Sequence, residues 1–373
     1  MRVVMFYHSL CSDWNHGNAH FLRGVATELI ARGHSVDVFE PADSWSLKNL
    51  LEDRGELPLE EFARAYPMLE VKQYESGIED VTPMLDDADL VIVHEWNRHE
   101  LVAKVGKARR EGGRFRLLFH DTHHRCVTDP HAMAAYDLRD YDGVLAFGEV
   151  IRRLYLEHAW CARAWTWHEA ADTRVFRPPV GMRRTDGDLV WIGNWGDDER
   201  VQELQEFLLD PVHALRLKAL VHGVRYPEDA RARLAAAGIE YGGWIPNYRV
   251  PEVFSRFTAT AHVPRRPYVA ALPGIPTIRV FEALACGIPL VSAPWDDAEQ
   301  LFSPGSDFLV ARDGAQMRKH LVDLMHDPEG AAAMAERGVE TIRRRHTCAH
   351  RVDELIAICH ELERGLSSKA AAA

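Results

Sequence analysis

With 373 residues and a formal net charge of −12, the chain suits two domains rather than one core and lacks the net basic surface that grips a nucleic-acid backbone. Its six cysteines, Cys11, Cys126, Cys161, Cys286, Cys348 and Cys359, are scattered with no CxxC pair, which predicts reduced thiols and a cytoplasmic location. Met1-Arg2 leads into an apolar run too short for a signal-peptide core, and no stretch approaches the ~18–20 apolar residues that span a bilayer, so any membrane contact is expected to be peripheral.

The chain opens as a βαβ unit. Val3 to Tyr7 is an apolar strand, a polar loop runs from His8 to Asn18, a helical pattern extends from Ala19 to Arg32 and stops at Gly33, and His34 to Phe39 reads as the next strand. That order predicts a parallel sheet whose ligands gather at the carboxyl ends of the strands. His16-Gly17-Asn18 stands directly ahead of the helix, where uncovered backbone N–H groups suit a phosphate or a sugar; an ordinary glycine turn is the alternative. Residues 41–80 are charged, carry Pro58, Pro67 and Gly77, and are expected to form helical excursions rather than sheet.

Asp89 to His94 and Arg116 to His120 read as buried strands, followed at their carboxyl ends by Glu95-Trp96-Asn97 and by Asp121-Thr-His-His-Arg125. The second loop is the densest group of titratable side chains in the chain. His120, Asp121, His123 and His124 suit acid–base chemistry, substrate binding or the capping of the next helix, and without a recognisable ligand spacing no metal is expected there. Asp142 to Phe147 is a further strand and Glu149 to His158 a helix.

After a polar linker from 181 to 188, Leu189 to Ile192 is a strand and Gly193-Asn194-Trp195-Gly196 a tight loop before a helix from Asp197 to Leu209. The same backbone physics suits an anion here, with a structural turn as the alternative. The spacing is not GxGxxG and no acidic residue stands where a nicotinamide-dinucleotide ribose needs one, which argues against a dehydrogenase. Leu215 to His222 reads as a strand and Pro227 to Ala237 as a helix. Ala259 to Pro264 is a strand ending at Arg265 and Arg266, two guanidinium groups suited to a diphosphate unless they are solvated surface arginines; Arg279 is a third candidate. Helices are expected over 316–326, 328–345 and 352–364, ahead of a low-complexity tail.

The most informative stretch is Thr277-Ile-Arg-Val-Phe-Glu-Ala-Leu-Ala-Cys-Gly-Ile-Pro-Leu-Val-Ser292. Val280, Phe281, Leu284 and Ala285 fall on one helical face, Gly287 supplies the stop, Pro289 forbids continuation, and Leu290-Val291 begins a strand. Glu282 then sits near the helix start, where its two oxygens can accept from the vicinal hydroxyls of a ribose or simply complement the helix dipole.

Glu-Ala-Leu-Ala-Cys-Gly-Ile-Pro-Leu-Val resembles the nucleotide-sugar signature of retaining glycosyltransferases of the GT-B fold, especially family 4 and the CgeB-like group. The resemblance implies an α/β fold of two Rossmann-like domains with parallel sheets facing across a cleft: an acceptor-side domain over 1–175, a nucleotide-sugar domain over 176–350, and a terminal helix and tail over 351–373 crossing back to the first. It implies that Glu282 binds the donor ribose, with Thr277 beside it. Gly193 and Asn194 would line the diphosphate side, and Trp244 and Ile245 would lie near the base, where Trp244 either stacks or is core. His120 or Asp121 would approach the transferred sugar, and Gly17-Asn18 matches the family's glycine pair. Ala164 to Pro178 looks like the interdomain passage, with Asp172, Thr173, Phe176 and Pro178 in register. One departure stands out: family 4 usually has a second glutamate eight positions before the first, and here that position is Gly274.

The expected activity is transfer of a sugar from a nucleotide-diphosphate sugar, with a UDP-sugar as the working donor, to an acceptor the sequence does not reveal. Transfer is expected to be retaining and independent of metal and cofactor, with Arg265, Arg266 or Arg279 offsetting charge on the leaving diphosphate. The alternatives are a GT-B nucleotide-sugar epimerase and a non-catalytic sugar-nucleotide or glycan-binding protein. Fold alone does not choose among them.

Overall fold

The computed structural model describes residues 1–181 and 186–371, with side chains through 364. Part of the linker expected over 181–188 and the last two residues of the tail therefore lie outside the described residues. The chain forms two compact units, Met1–Glu169 with Cys348–Ala373, and Ala170–Thr347.

The first unit holds seven parallel strands: β1 (Arg2–Phe6), β2 (Ser35–Pro41), β3 (Val71–Tyr74), β4 (Leu90–His94), β5 (Arg116–Asp121), β6 (Gly143–Ala146) and β7 (Ala164–Thr166). Their order is β3-β2-β1-β4-β5-β6-β7. The central strands are near-continuous apolar runs because helices cover both faces of a parallel sheet, and β4 is buried along its whole length. The strand order reverses between β1 and β4, so the loops after these two strands diverge and leave a crevice at their carboxyl ends.

Residues 41–80 differ from expectation in one respect. The helices Trp45–Arg54 and Leu57–Ala65 are present, but Val71–Tyr74 then joins the sheet as β3, pairing with Val38 to Pro41. An edge strand this short and polar carries almost no periodic signal; its partner strand decides it. The helix Cys348–Ala371 packs on the helix Ala19–Ala31 within this unit and buries Val352, Leu355, Ile358, Cys359 and Leu362. Each such side chain removed from water contributes roughly 1.5–3 kcal/mol.

The second unit holds six parallel strands: β8 (Gly187–Ile192), β9 (Ala219–His222), β10 (Ile239–Gly243), β11 (Phe257–His262), β12 (Leu290–Ser292) and β13 (Leu309–Val310). The order β10-β9-β8-β11-β12-β13 reverses between β8 and β11. Of the helix expected over 197–209, Asp197–Glu199 is a separate 3-10 turn; after a break at Arg200 the helix starts at Val201 and runs on to Leu215 through a π-turn at Gln205–Leu209. Pro211 has no N–H for the carbonyl four residues back, and the helix widens directly ahead of it. Leu215 closes this helix and Arg216 takes a left-handed φ of 52° as its cap, so β9 begins only at Ala219.

All six cysteines are free. Among the described residues, no helix is long and apolar enough to cross a membrane.

Candidate functional site

In the first unit the loop after β1 is clamped by two buried charged groups. Arg23, fully buried, donates from Nη1 to Asp13 Oδ2 at 2.7 Å, from Nε to the Leu10 carbonyl at 2.8 Å and from Nη2 to the Cys11 carbonyl at 3.2 Å. From the other side Glu40 Oε2 accepts from the Leu10 N–H at 2.7 Å and the Cys11 N–H at 3.3 Å. The loop thereby delivers Gly17 and Asn18 to the start of the helix Ala19–Ala31, and Asn18 Nδ2 donates to the Thr122 carbonyl just past β5 at 3.1 Å. Asp13→Ala would leave a buried guanidinium without its anion. It is expected to cost about 3–5 kcal/mol, read as a lower urea midpoint for the first unit.

Tyr7, His94 and His120 stand side by side across β1, β4 and β5, with His94 and His120 paired in register. Ring centroids are 5.7 Å apart for Tyr7 and His94 and 5.5 Å for His94 and His120, and His16 lies 6.2 Å from His94. His94 Nε2 is bonded to Thr122 Oγ1 at 2.9 Å, whereas neither ring nitrogen of His120 meets a protein partner. Burial holds His120 down to about 3, so it is a neutral imidazole at physiological pH.

Asp121, its neighbour in sequence, points to the other face of the pleat. Its carboxyl accepts from the Tyr155 hydroxyl at 2.9 Å, from Cys126 Sγ at 3.0 Å and from the His123 N–H at 3.0 Å. Burial raises it from its ordinary value. Nearby, fully buried Glu95 takes Arg125 Nη2 at 2.5 Å and Nε at 3.1 Å. The two adjacent candidates therefore separate: His120 keeps free nitrogens, and Asp121 is committed to shaping its loop. His123 and His124 stack on one another at 3.9 Å, and His124 Nδ1 bonds Thr128 Oγ1 at 2.9 Å. Among the described residues, no three His, Cys, Asp or Glu side chains are grouped to hold a metal ion.

In the second unit the loop Gly193 to Gly196 wraps an arginine the sequence did not single out. A Cβ on Gly196, whose φ is +85°, would stand 2.6 Å from Arg200 Nε, and one on Gly193 would stand 2.8 Å from the Trp191 ring and 3.3 Å from Arg200 Nη2. Arg200, 9% exposed, donates from Nη1 to the Val263 carbonyl at 3.1 Å and from Nη2 to Asn194 Oδ1 at 2.6 Å. The same Asn194 Oδ1 accepts from Arg265 Nη2 at 2.9 Å, while Arg265 Nη1 pairs with Glu199 Oε2 at 2.6 Å. Burial first, then the charges of Arg265 and Arg279, push the Arg200 guanidinium down to about 9, and its Nε has no protein partner. Arg266, expected to act beside Arg265, instead starts a helix, Arg266–Ala271, and turns out to Glu203 at 2.8 Å and to the Asp198 carbonyl.

The helix Ile278–Cys286 places Glu282 in full burial beside Arg279, whose Nη1 donates to Glu282 Oε2. Gly287, at φ 62°, closes the helix. Its start is held by Thr277, whose Oγ1 lies 3.1 Å from His262 Nε2; His262 Nδ1 lies 2.8 Å from Ser292 Oγ, which itself donates to the Ala293 carbonyl at 2.7 Å. With the serine proton committed, His262 donates from Nδ1 and accepts the Thr277 proton at Nε2. Burial keeps it neutral, down to about 3.

Gly274, where the family's second glutamate would stand, has a φ of +87°, and a Cβ there would lie 2.6 Å from Glu299 Cγ. A side chain at this position strains the backbone and requires Glu299 to shift. Gly274→Ala is expected to lower stability by about 1–2 kcal/mol, measured by thermal or urea unfolding. Trp244 and Ile245 follow edge strand β10 and are half-buried, so Trp244 is not a core residue.

Two doubly wound parallel units, each with its glycine-bearing loop at the strand-order reversal, define the GT-B fold of glycosyltransferases. Residues 200–357, which carry Arg200, Arg265, Arg279 and Glu282, match the family model described as "Glycosyl transferase-like". Over nearly its whole length the chain also resembles solved structures. HepE from Anabaena, in complex with UDP, is 14% identical with a TM-score of 0.64, covering 99% of this chain and 100% of that one. Sucrose-phosphate synthase from Thermosynechococcus elongatus is 13% identical with a TM-score of 0.62, covering 100% of both chains. An alpha-glucosyltransferase in complex with UDP and a 13-mer DNA is 12% identical with a TM-score of 0.70, covering 96% and 99%. No curated protein sequence matches the chain significantly.

Proposed function

We propose that the chain is a glycosyltransferase that takes its sugar from a nucleoside diphosphate sugar. The carrying observation is Arg200: a buried guanidinium bonded only to neutral oxygens, with Nε unpartnered and two further arginines bearing on it. Arg265 and Arg279 each pair with one glutamate, Glu199 and Glu282, so the three guanidinium groups carry one positive charge in excess, on desolvated Arg200; a diphosphate supplies the missing charge in a fork geometry guanidinium groups match. Glu282, one turn beyond Arg279, is the ribose acceptor. Solved proteins of this fold hold UDP or UDP-glucose, which makes UDP the first donor base to test.

As the bond from the anomeric carbon to the diphosphate oxygen breaks, negative charge gathers on the leaving group, and Arg200, with Arg265 and Arg279 beside it, would offset that charge. Preorganised donors of this kind usually supply the largest part of the barrier lowering. Arginines carry that charge without a metal ion, so turnover should survive a chelator. His120, neutral and with free ring nitrogens, serves as donor or acceptor to a hydroxyl of the transferred sugar or the acceptor. Transfer with retention belongs to the same proposal.

The test is a thermal-shift panel of UDP, GDP and TDP with their sugar conjugates, since a ligand that binds only the folded state raises its melting temperature. A selective shift by one diphosphate supports the proposal and names the base. A folded sample that no nucleotide shifts overturns it.

A further inference from the structure

The first unit carries a recess that the donor side of the proposed reaction leaves unused. It has a volume of about 270 Å³, lies past the carboxyl ends of β1 to β4, and is lined principally by His8, Asp43, Trp45, Tyr74, Trp96 and Arg98. Three of these, Asp43, Trp45 and Tyr74, come from the 41–80 excursion.

Its walls are fixed by packing. Trp96 is backed by the Arg125 guanidinium 4.3 Å from its ring, and Trp45 by the His8 ring at 5.0 Å and 32°. Both indoles are nonetheless partly exposed, unlike Trp167, which is fully buried. Below them Asn97 is committed on every side: Nδ2 donates to the Phe6 carbonyl at 2.7 Å and the His94 carbonyl at 2.9 Å, and Oδ1 accepts from the Tyr74 hydroxyl at 3.1 Å. The rim carries Asp43 and Arg98, paired at 3.0 Å, with the Ser76 hydroxyl also donating to Asp43.

Charge and shape select the occupant. Asp43 and Arg98 cancel, and burial pushes His8 down to about 4, so the recess presents no net charge to a phosphate or a carboxylate. The Trp45 and Trp96 rings are 6.4 Å apart at 68° to each other, so they cannot sandwich a flat base between parallel faces. A saturated six-membered ring fits both: one indole face meets its C–H surface, the second indole meets its edge, and the ion pair at the rim offers a carboxylate and N–H groups to its hydroxyls. Aromatic walls with a few fixed polar groups are the usual make-up of a small-ligand site.

We propose that this recess is the acceptor subsite and binds a neutral pyranose, so that the acceptor is a saccharide. The assignment to an acceptor rests on the transferase proposal above; the pyranose specificity does not.

The full chain, without nucleotide, is tested by saturation-transfer NMR and tryptophan fluorescence against methyl glucopyranosides, galactopyranosides, mannopyranosides and N-acetylglucosaminides. The expected result is saturation of the ring C–H protons of at least one. Affinity should fall roughly threefold to tenfold in Trp45→Ala and in Trp96→Ala, and stay near the parent in Trp45→Phe and Trp96→Phe. The melting-temperature shift given by UDP should be the same in all four variants. Saturation of no pyranoside, or of one whose affinity ignores both alanine variants, overturns the proposal while a persisting UDP shift keeps the transferase. A pyranoside bound through the tryptophans on a chain that binds no nucleotide removes the acceptor role and the transferase together.

Discussion

Arg200→Ala is expected to lower kcat/KM for the nucleotide sugar by about 10²–10³-fold, the loss seen when one preorganised donor to a developing oxyanion is removed. The same variant should bind UDP more weakly by calorimetry while its affinity for uridine is unchanged, because uridine has no phosphate for the guanidinium to meet. Arg200→Lys keeps the charge but loses the planar fork that now spans the Val263 carbonyl and Asn194 Oδ1, and should fall between. Since Gly193 and Gly196 wrap this side chain, the alanine variant must be shown to unfold at a temperature near that of the parent. Equal losses for UDP and uridine would make Arg200 a strut of the loop rather than a phosphate ligand.

Glu282→Ala is expected to weaken UDP binding by about 10–150-fold, corresponding to the 1.5–3 kcal/mol of a hydrogen bond to a charged group. The ribose assignment makes a sharper statement: the parent should prefer UDP over 2′-deoxy-UDP, and the variant should bind the two alike. Glu282→Gln keeps the volume in a fully buried position while leaving Arg279 without its anion, so it separates packing from charge. A calorimetric affinity for UDP that is untouched by either change would remove Glu282 from the nucleotide site.

The strands and helices were legible in the sequence because their signals are local, and the GT-B arrangement through the resemblance carried by the Glu282 to Val291 motif. An uninterrupted apolar run such as Leu90–His94, or a helix closed by Gly287 and Pro289, announces itself within a few residues. What stayed hidden depends on partners far along the chain. β3 exists because Val38 to Pro41 lies open beside it, and the end of the 201–215 helix was misjudged because only a packed sheet shows where β9 can begin. His120 and Asp121 are neighbours in sequence yet the pleat sends them to opposite faces, which titratable composition alone does not reveal. Arg265 and Arg266 diverge for a similar reason, one turning to Asn194 and the other to Glu203. Arg200 was overlooked because its surroundings come from the loops after β8 and β11 and from the helix Ile278–Cys286; an arginine shortly after a glycine loop that follows a strand was the one signal available.

The first unit is assembled from both ends of the chain, Met1–Glu169 and Cys348–Ala373, whereas Ala170–Thr347 is continuous. During synthesis on a ribosome the later unit can therefore be finished before the earlier one. At about 5–20 residues per second, the intervening segment delays closure by on the order of 10–30 s. Through that interval the helix Ala19–Ala31 awaits the apolar stripe of Val352, Leu355, Ile358 and Leu362, leaving a greasy surface for chaperones to shield. A nascent chain released before that helix is made thus leaves its earlier unit uncovered while its later one is complete.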